Sequence, residues 1–273
     1  MEMLSFSFMQ HALLAAVLVS ICVGIVGSLV VINRMVFLSG GIAHGSYGGI
    51  GLAIYLGILP LIGATAFAII LSLLIAAVSY KNRERTDPII GAMWAAGMSI
   101  GIIFTDLTPG YNVDIMSYLF GSIISVSTKD LWIMAIFDLF VVALTIFLYK
   151  ELLAMSFDSE FAKLRGVKEK ALYYLLIVLI GVSVIITVRA VGLILVIALM
   201  SIPTYMAEKL SSSLKGMMII STIFTLVFTV LGLFLSYEYD ISSGASIIFI
   251  ASLAFFIFAF FLRVKGTKTR NSI

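Results

Sequence analysis

A chain of 273 residues that is 62% hydrophobic and 11% charged, with a mean hydropathy of +1.20, is not an ordinary soluble domain, in which about 25% of residues are charged. It is expected to be an all-α, polytopic integral membrane protein. The net charge of +3 decides nothing as a total, and the one cysteine, Cys22, lies inside an apolar run and excludes a disulfide framework.

The first residues, MEMLSFSFMQ, have no positive n-region and no small-residue cleavage site, so a secretory signal is not expected. Apolar runs long enough to span a bilayer follow at about 10–32, 35–57, 61–80, 88–105, 131–149, 172–188, 191–206, 217–236 and 243–262. If each crosses once, every Lys and Arg except Lys129 and Arg189 falls on one face: Arg34, the Lys81–Arg85 connection, Lys150 to Lys170, Lys209, Lys215 and the tail from Arg263. The positive-inside rule makes that face cytoplasmic, with the N-terminus outside and the C-terminus inside. The other face, with Glu2, Asp106, Asp114, Asp130, Glu238 and Asp240, is mildly acidic. Asn112–Thr128 is apolar but short. Counting it as a span would move the Lys-rich loop after residue 149 outside, so it reads as an outer half-helix or re-entrant piece. No internal repeat and no second domain are visible, and the whole of 1–273 reads as one transmembrane domain.

The second run, MVFLSGGIAHGSYGGIGLAIYLG (35–57), carries glycines at 40, 41, 45, 48, 49 and 51 around one titratable group, His44, and ends on Gly57. So bare a helix must be closely approached, by another helix, by an unwound backbone lining a cavity or by a small solute. A neutral imidazole at that depth is a hydrogen-bonded structural histidine or a ligand for a divalent metal in transit. One histidine cannot close a metal site, so a transit site would need a symmetry mate, waters or carbonyls. Asp138, the second ionisable group within a span, must pair, protonate or face water; His44 or a backbone donor would satisfy it. Arg189, between two short spans, reads as a side chain snorkelling to the outer interface. In Phe157–Lys170, FDSEFAKLRGVKEK, Asp158 or Ser159 can cap a short amphipathic helix that Gly166 closes. That stretch is either a solvated loop or a docking helix for a soluble partner, with Phe157, Phe161 and Leu164 as knobs. There is no phosphate-binding G-x-x-x-x-G-K-[ST] loop, no nucleophile elbow, no H-E-x-x-H and no Cys/His cluster; with two histidines in all, His11 and His44, an enzyme is not expected.

Five blocks, in order, resemble the permease subunits of the zinc and manganese ABC importers: FLSGGIAHGSYGGIGLA (37–53), MSYLFGSIISVSTKDLW (116–132), FDSEFAKLRGV (157–167), VRAVGLILVIALMSIPTYMAEKLS (188–211) and SYEYDISSGASIIF (236–249). The resemblance implies about nine transmembrane helices plus an outer half-helix at 113–127, similar to the permease fold of vitamin B12 and siderophore importers. It implies that two copies pair around a central pathway in the prokaryotic plasma (inner) membrane, surrounded by lipid. Each would dock an ATP-binding-cassette ATPase subunit, which holds the ATP, through the coupling segment 157–167 (Phe157, Asp158, Glu160, Phe161, Leu164, Gly166). An extracytoplasmic metal-binding protein would deliver zinc or manganese as cargo. The chain itself would bind no cofactor and no nucleic acid. In the family, an aspartate often stands four residues before the histidine; here that position is Gly40, leaving His44 alone as the metal contact of the transit pathway. Two other readings stay open from sequence: a permease for a chelated metal or cofactor, and a stand-alone channel or scaffold that needs no ATPase.

Overall fold

The computed structural model describes residues 6–80, 86–109 and 123–270, with only the helical backbone for 264–270. Among these residues every element is helical: α1 (Ser7–Ile32), α2 (Val36–Gly45), α3 (Tyr47–Tyr55), α4 (Pro60–Ser79), α5 (Asp87–Asp106), a 3-10 turn at Ile123–Ser125, α6 (Thr128–Phe147), α7 (Tyr149–Phe157), α8 (Ser159–Leu164), α9 (Glu169–Val191), α10 (Leu193–Leu210), α11 (Leu214–Tyr239) and α12 (Ser243–Arg270). Eight of them are long and apolar enough to cross a membrane.

The ninth expected run, 35–57, is the exception, because it is split into α2 and α3 at Ser46. The Ser46 hydroxyl donates to Ala43 O at 2.8 Å, competing with the backbone ladder at a site where glycines already weaken it. The other ends are set by local chemistry. Ser127 and Asp130 form a reciprocal capping box at the start of α6, Ser213 accepts from Gly216 N to start α11, and prolines open the first turns of α4 and α5. Gly192, at φ +85°, is the single residue between α9 and α10, a conformation that side chains with a Cβ rarely adopt. Most of the expected half-helix at 113–127 lies outside the described residues. Its end is the 3-10 turn, with Ile123 and Val126 buried.

Helices α1 and α9 form the middle of the bundle: 67% of the α1 core window is buried against 17% for α12. Around α1 pack α11, α10, α6 and α9, with Gly24 set against the Thr222 backbone and Gly27 against Met200 and Thr204. On the far side of α9 stands a second group, α2 to α5, joined by a seam of glycine on glycine. A Cβ at Gly51 would overlap the Gly101 carbonyl, one at Gly49 the Gly63 carbonyl and one at Gly97 the Gly45 carbonyl. Such contacts suit helices in lipid, where apolar side chains gain nothing by leaving the acyl chains and close backbone approach supplies the packing.

Replacing Gly51 by Ala is expected to destabilise the seam by about 1–3 kcal/mol through overpacking. Gly91→Ala, on the same helix as Gly101 but with open space around its Cβ, leaves stability unchanged. Thermal unfolding of the two variants in detergent tests the difference.

Candidate metal pathway and coupling surface

The seam buries one side of α2 and leaves its neighbour half open. Leu38, Ser39, Gly40, Gly41, Ile42, Ala43 and Gly45 are buried, while His44 is partly exposed and Phe37 is exposed. The imidazole lies flat against the Trp94 indole of α5, ring centroids 4.3 Å apart and planes 17° from parallel. Phe37 flanks the same indole at 6.4 Å. The indole N–H points to Met98 Sδ at 2.9 Å. Stacking holds the ring plane without using either ring nitrogen. Nδ1 is buried and has no hydrogen-bond partner among the described residues. The glycines help explain this placement: Gly45 lies against the Met93 and Trp94 backbone, which sets the preceding residue of α2, His44, beside the indole.

Gly40, one turn before His44, is buried, but a Cβ there would meet the Ile197 side chain at an ordinary 3.5 Å and no backbone. The missing aspartate is therefore not a steric demand of the seam. Among the described residues no three His, Cys, Asp or Glu side chains converge.

Asp138 is not brought to His44 by any hydrogen bond or ion pair. It is 5% exposed, on α6, facing Cys22 of α1, with Ser183 and Thr187 of α9 beside that thiol. The Thr187 hydroxyl reaches Cys22 Sγ at 4.0 Å, and Asp138 Oδ2 has no hydrogen-bond partner among the described residues. Arg189 does more than snorkel: its guanidinium pairs with Asp130, the same carboxylate that completes the α6 capping box. That pairing was not legible because the partners are 59 positions apart in sequence and on different spans.

At the Lys-rich end, α7, with Leu152 and Met155 buried in the core, and α8 form an elbow. Asp158, not Ser159, is the cap, its Oδ1 accepting from Phe161 N at 2.9 Å. Gly166 closes the turn at φ +82°. Ala162 is fully buried against the bundle while Phe157, Phe161 and Leu164 are 67%, 52% and 86% exposed, so the three knobs face outward. Glu160 and Lys163 pair at 2.7 Å on the same surface, the carboxylate holding the ammonium above the usual lysine range, and Arg165 lies over the Phe161 ring. Just behind, two hydrogen bonds that sequence reasoning missed tie α4 to the start of α9: Ser79 Oγ with Tyr173 Oη at 2.8 Å, and Tyr80 Oη to the buried Glu169 carboxylate at 2.7 Å. The only signal in the sequence was an acidic residue at the mouth of a span.

The chain is similar over nearly its whole length to known proteins. An uncharacterized membrane protein of Synechocystis sp. is 46% identical over 96% of this chain and 93% of its own length. The manganese transport system membrane protein MntC of Halalkalibacterium halodurans is 33% identical over 98% of this chain and 92% of its own. Among solved structures, PsaBC from Streptococcus pneumoniae in complex with Fab superposes with a TM-score of 0.83 at 31% identity, covering 94% of this chain and 92% of that one. A metal-chelate type ABC transporter in an inward-facing conformation shares the fold, with a TM-score of 0.70 at 20% identity over 92% of this chain and 85% of that one. The model of the ABC 3 transport family matches residues 5–262, and with that extent of agreement the chain belongs to this family.

Proposed function

We propose that this chain is the membrane-spanning permease of an ATP-driven importer of divalent metal ions, manganese or zinc, and that its His44 is the cargo's contact on the way through. The observation that carries the reading is the imidazole itself: partly exposed, fixed by Trp94 and set on a glycine-packed broken helix in a protein otherwise poor in ionisable groups within its spans. The relatives named for manganese transport support the cargo. Metal binding by one neutral nitrogen is weak, and weak binding suits a conduit that must release what it takes.

A second copy of the chain supplies the other half of the pathway. Support comes from the outer face of α5, beside Trp94, where Ala92, Ala95, Ala96 and Ser99 form an exposed small-residue stripe of the kind that lets membrane helices approach. An ATP-binding-cassette ATPase, which holds the ATP, docks on Phe157, Asp158, Glu160, Phe161, Leu164 and Gly166, and an extracytoplasmic metal-binding protein delivers the ion to the opposite face. This places the Lys-rich face and the C-terminus in the cytoplasm of a prokaryotic cell, with 1–273 acting as one permease domain. The Tyr80–Glu169 and Ser79–Tyr173 bonds then link the coupling elbow, through the start of α9, to α4 and the glycine seam. Closure of the ATPase dimer has a direct mechanical route to His44.

In whole cells, His44→Ala is expected to abolish metal uptake while membrane insertion and ATPase co-purification persist; unchanged uptake would remove the pathway role. Gly40→Asp adds a carboxylate one turn from the imidazole, and retention of Mn²⁺ by the purified complex is expected to rise severalfold in equilibrium dialysis. For the elbow, Glu160→Lys combined with Phe161→Ala is expected to uncouple hydrolysis from transport. In proteoliposomes that variant should show ATPase activity no longer stimulated by the loaded binding protein.

A further inference from the structure

The pathway leaves unused a groove on the opposite side of the bundle, about 440 Å³ in volume, where α1, α6 and α11 diverge. Its walls are two helical stripes, Val142, Thr145, Ile146 and Tyr149 on one side and Lys215, Met218, Ile219 and Thr222 on the other, with Ile25 of α1 as the floor. The close approach of Gly24 to the Thr222 backbone closes its deep end. At its mouth the Lys215 backbone N–H donates to Tyr149 Oη at 3.1 Å, which leaves the phenol proton free to donate outward. The Lys215 side chain is exposed and makes no ion pair among the described residues. Arg34 and Lys150, also exposed, carry charge to the same end of the bundle, with Glu151 among them. One turn deeper, Thr145 is 5% exposed and its hydroxyl has no partner among the described residues. A helical threonine ordinarily satisfies that hydroxyl on the carbonyl four residues back, as Thr222 does on Met218 O at 2.9 Å.

We propose that this groove is a seat for one anionic phospholipid of the Lys-rich leaflet. The phosphate sits at Lys215 and Tyr149 Oη, an ester carbonyl accepts from Thr145 Oγ1, and one acyl chain lies along Val142, Ile146, Met218 and Ile219. The cation and the phenol stand at the mouth, the Thr145 hydroxyl lies one turn in among Ile146, Met218 and Ile219, and hydrocarbon continues at Val142, which matches the headgroup, ester and acyl chain of a phospholipid. A soluble phosphate compound would satisfy the mouth alone and leave the apolar walls and the Thr145 hydroxyl without a counterpart. Basic pockets between transmembrane helices at the cytoplasmic side are known seats for anionic headgroups.

The test uses the purified full chain, delipidated and incubated with equal amounts of phosphatidylglycerol and phosphatidylcholine, with bound lipid counted by native mass spectrometry. Phosphatidylglycerol adducts are expected to dominate. Lys215→Gln lowers them by roughly fivefold, the effect of one basic residue near an anionic headgroup, without changing phosphatidylcholine adducts. Thr145→Val keeps the shape of the wall, loses the ester donor and lowers phosphatidylglycerol retention, while thermal stability in lipid-free detergent is kept. Lys209→Gln, which removes a charge paired with Glu208 and lying over Tyr205, has no effect. Equal retention of the two lipids by the unaltered chain would overturn the proposal. So would undiminished phosphatidylglycerol binding in Lys215→Gln, or an equal loss in Lys209→Gln.

Discussion

The structure depends on backbone meeting backbone. Inside a bilayer an apolar side chain gains little by choosing another helix over lipid, so association rests on dispersion at close range and on polar groups that must be satisfied within the protein. The seam of Gly45, Gly48, Gly49 and Gly51 against Gly63, Gly97 and Gly101 is this constraint in its barest form. It fixes α2 and α3 against α4 and α5, with Phe67, Leu71 and Ile90 packed into the space the glycines leave. Everything at the candidate pathway follows from the seam: the break at Ser46, the burial of one face of α2 and the delivery of His44 to the Trp94 ring.

The same economy shapes the rest of the bundle. Where α1 crosses α10 and α11, Gly27 and Gly24 again admit the partner backbone, and a Thr204–Ser221 hydroxyl pair at 2.9 Å ties α10 to α11. Polar groups within the spans mostly turn back on their own helices, as Ser20, Ser28 and Thr229 do on carbonyls four residues earlier. The exceptions mark places where something else is required. The Asp130–Arg189 pair joins α6 to α9 at the mildly acidic face, and the Ser79–Tyr173 and Tyr80–Glu169 bonds join α4 to α9 at the Lys-rich one. Helix α9 is thus bound to its neighbours at both ends.

Much of this was legible in the order of residues. Composition alone excluded a soluble domain. Run length located eight helices to within a few positions, because a hydrocarbon slab of roughly 30 Å demands about 20 apolar residues whatever the fold. The lone His44, the glycine pattern around it and the capped elbow with its three apolar knobs could be marked because each is a departure from what a lipid-facing helix needs. What decides the environment of His44 is not local. Its neighbour Trp94 lies 50 positions on and is one aromatic residue among many, and nothing in the chain order distinguishes it until the glycines of α2 and α5 interlock.

Asp138 makes the same point in reverse. Its depth is evident from the run around it, yet its neighbours, Cys22 and the Ser183–Thr187 turn, come from helices whose contact no periodicity announces. The amino-acid order therefore determined which segments enter the membrane, where they break and which side chains are out of place there. Those properties answer to the solvent, and the bilayer is the same along the whole chain. Only the tertiary structure decided which of those side chains meet, because helix pairing in lipid is chosen by the fit of small surfaces a few ångströms wide, and that fit exists only once two helices lie together.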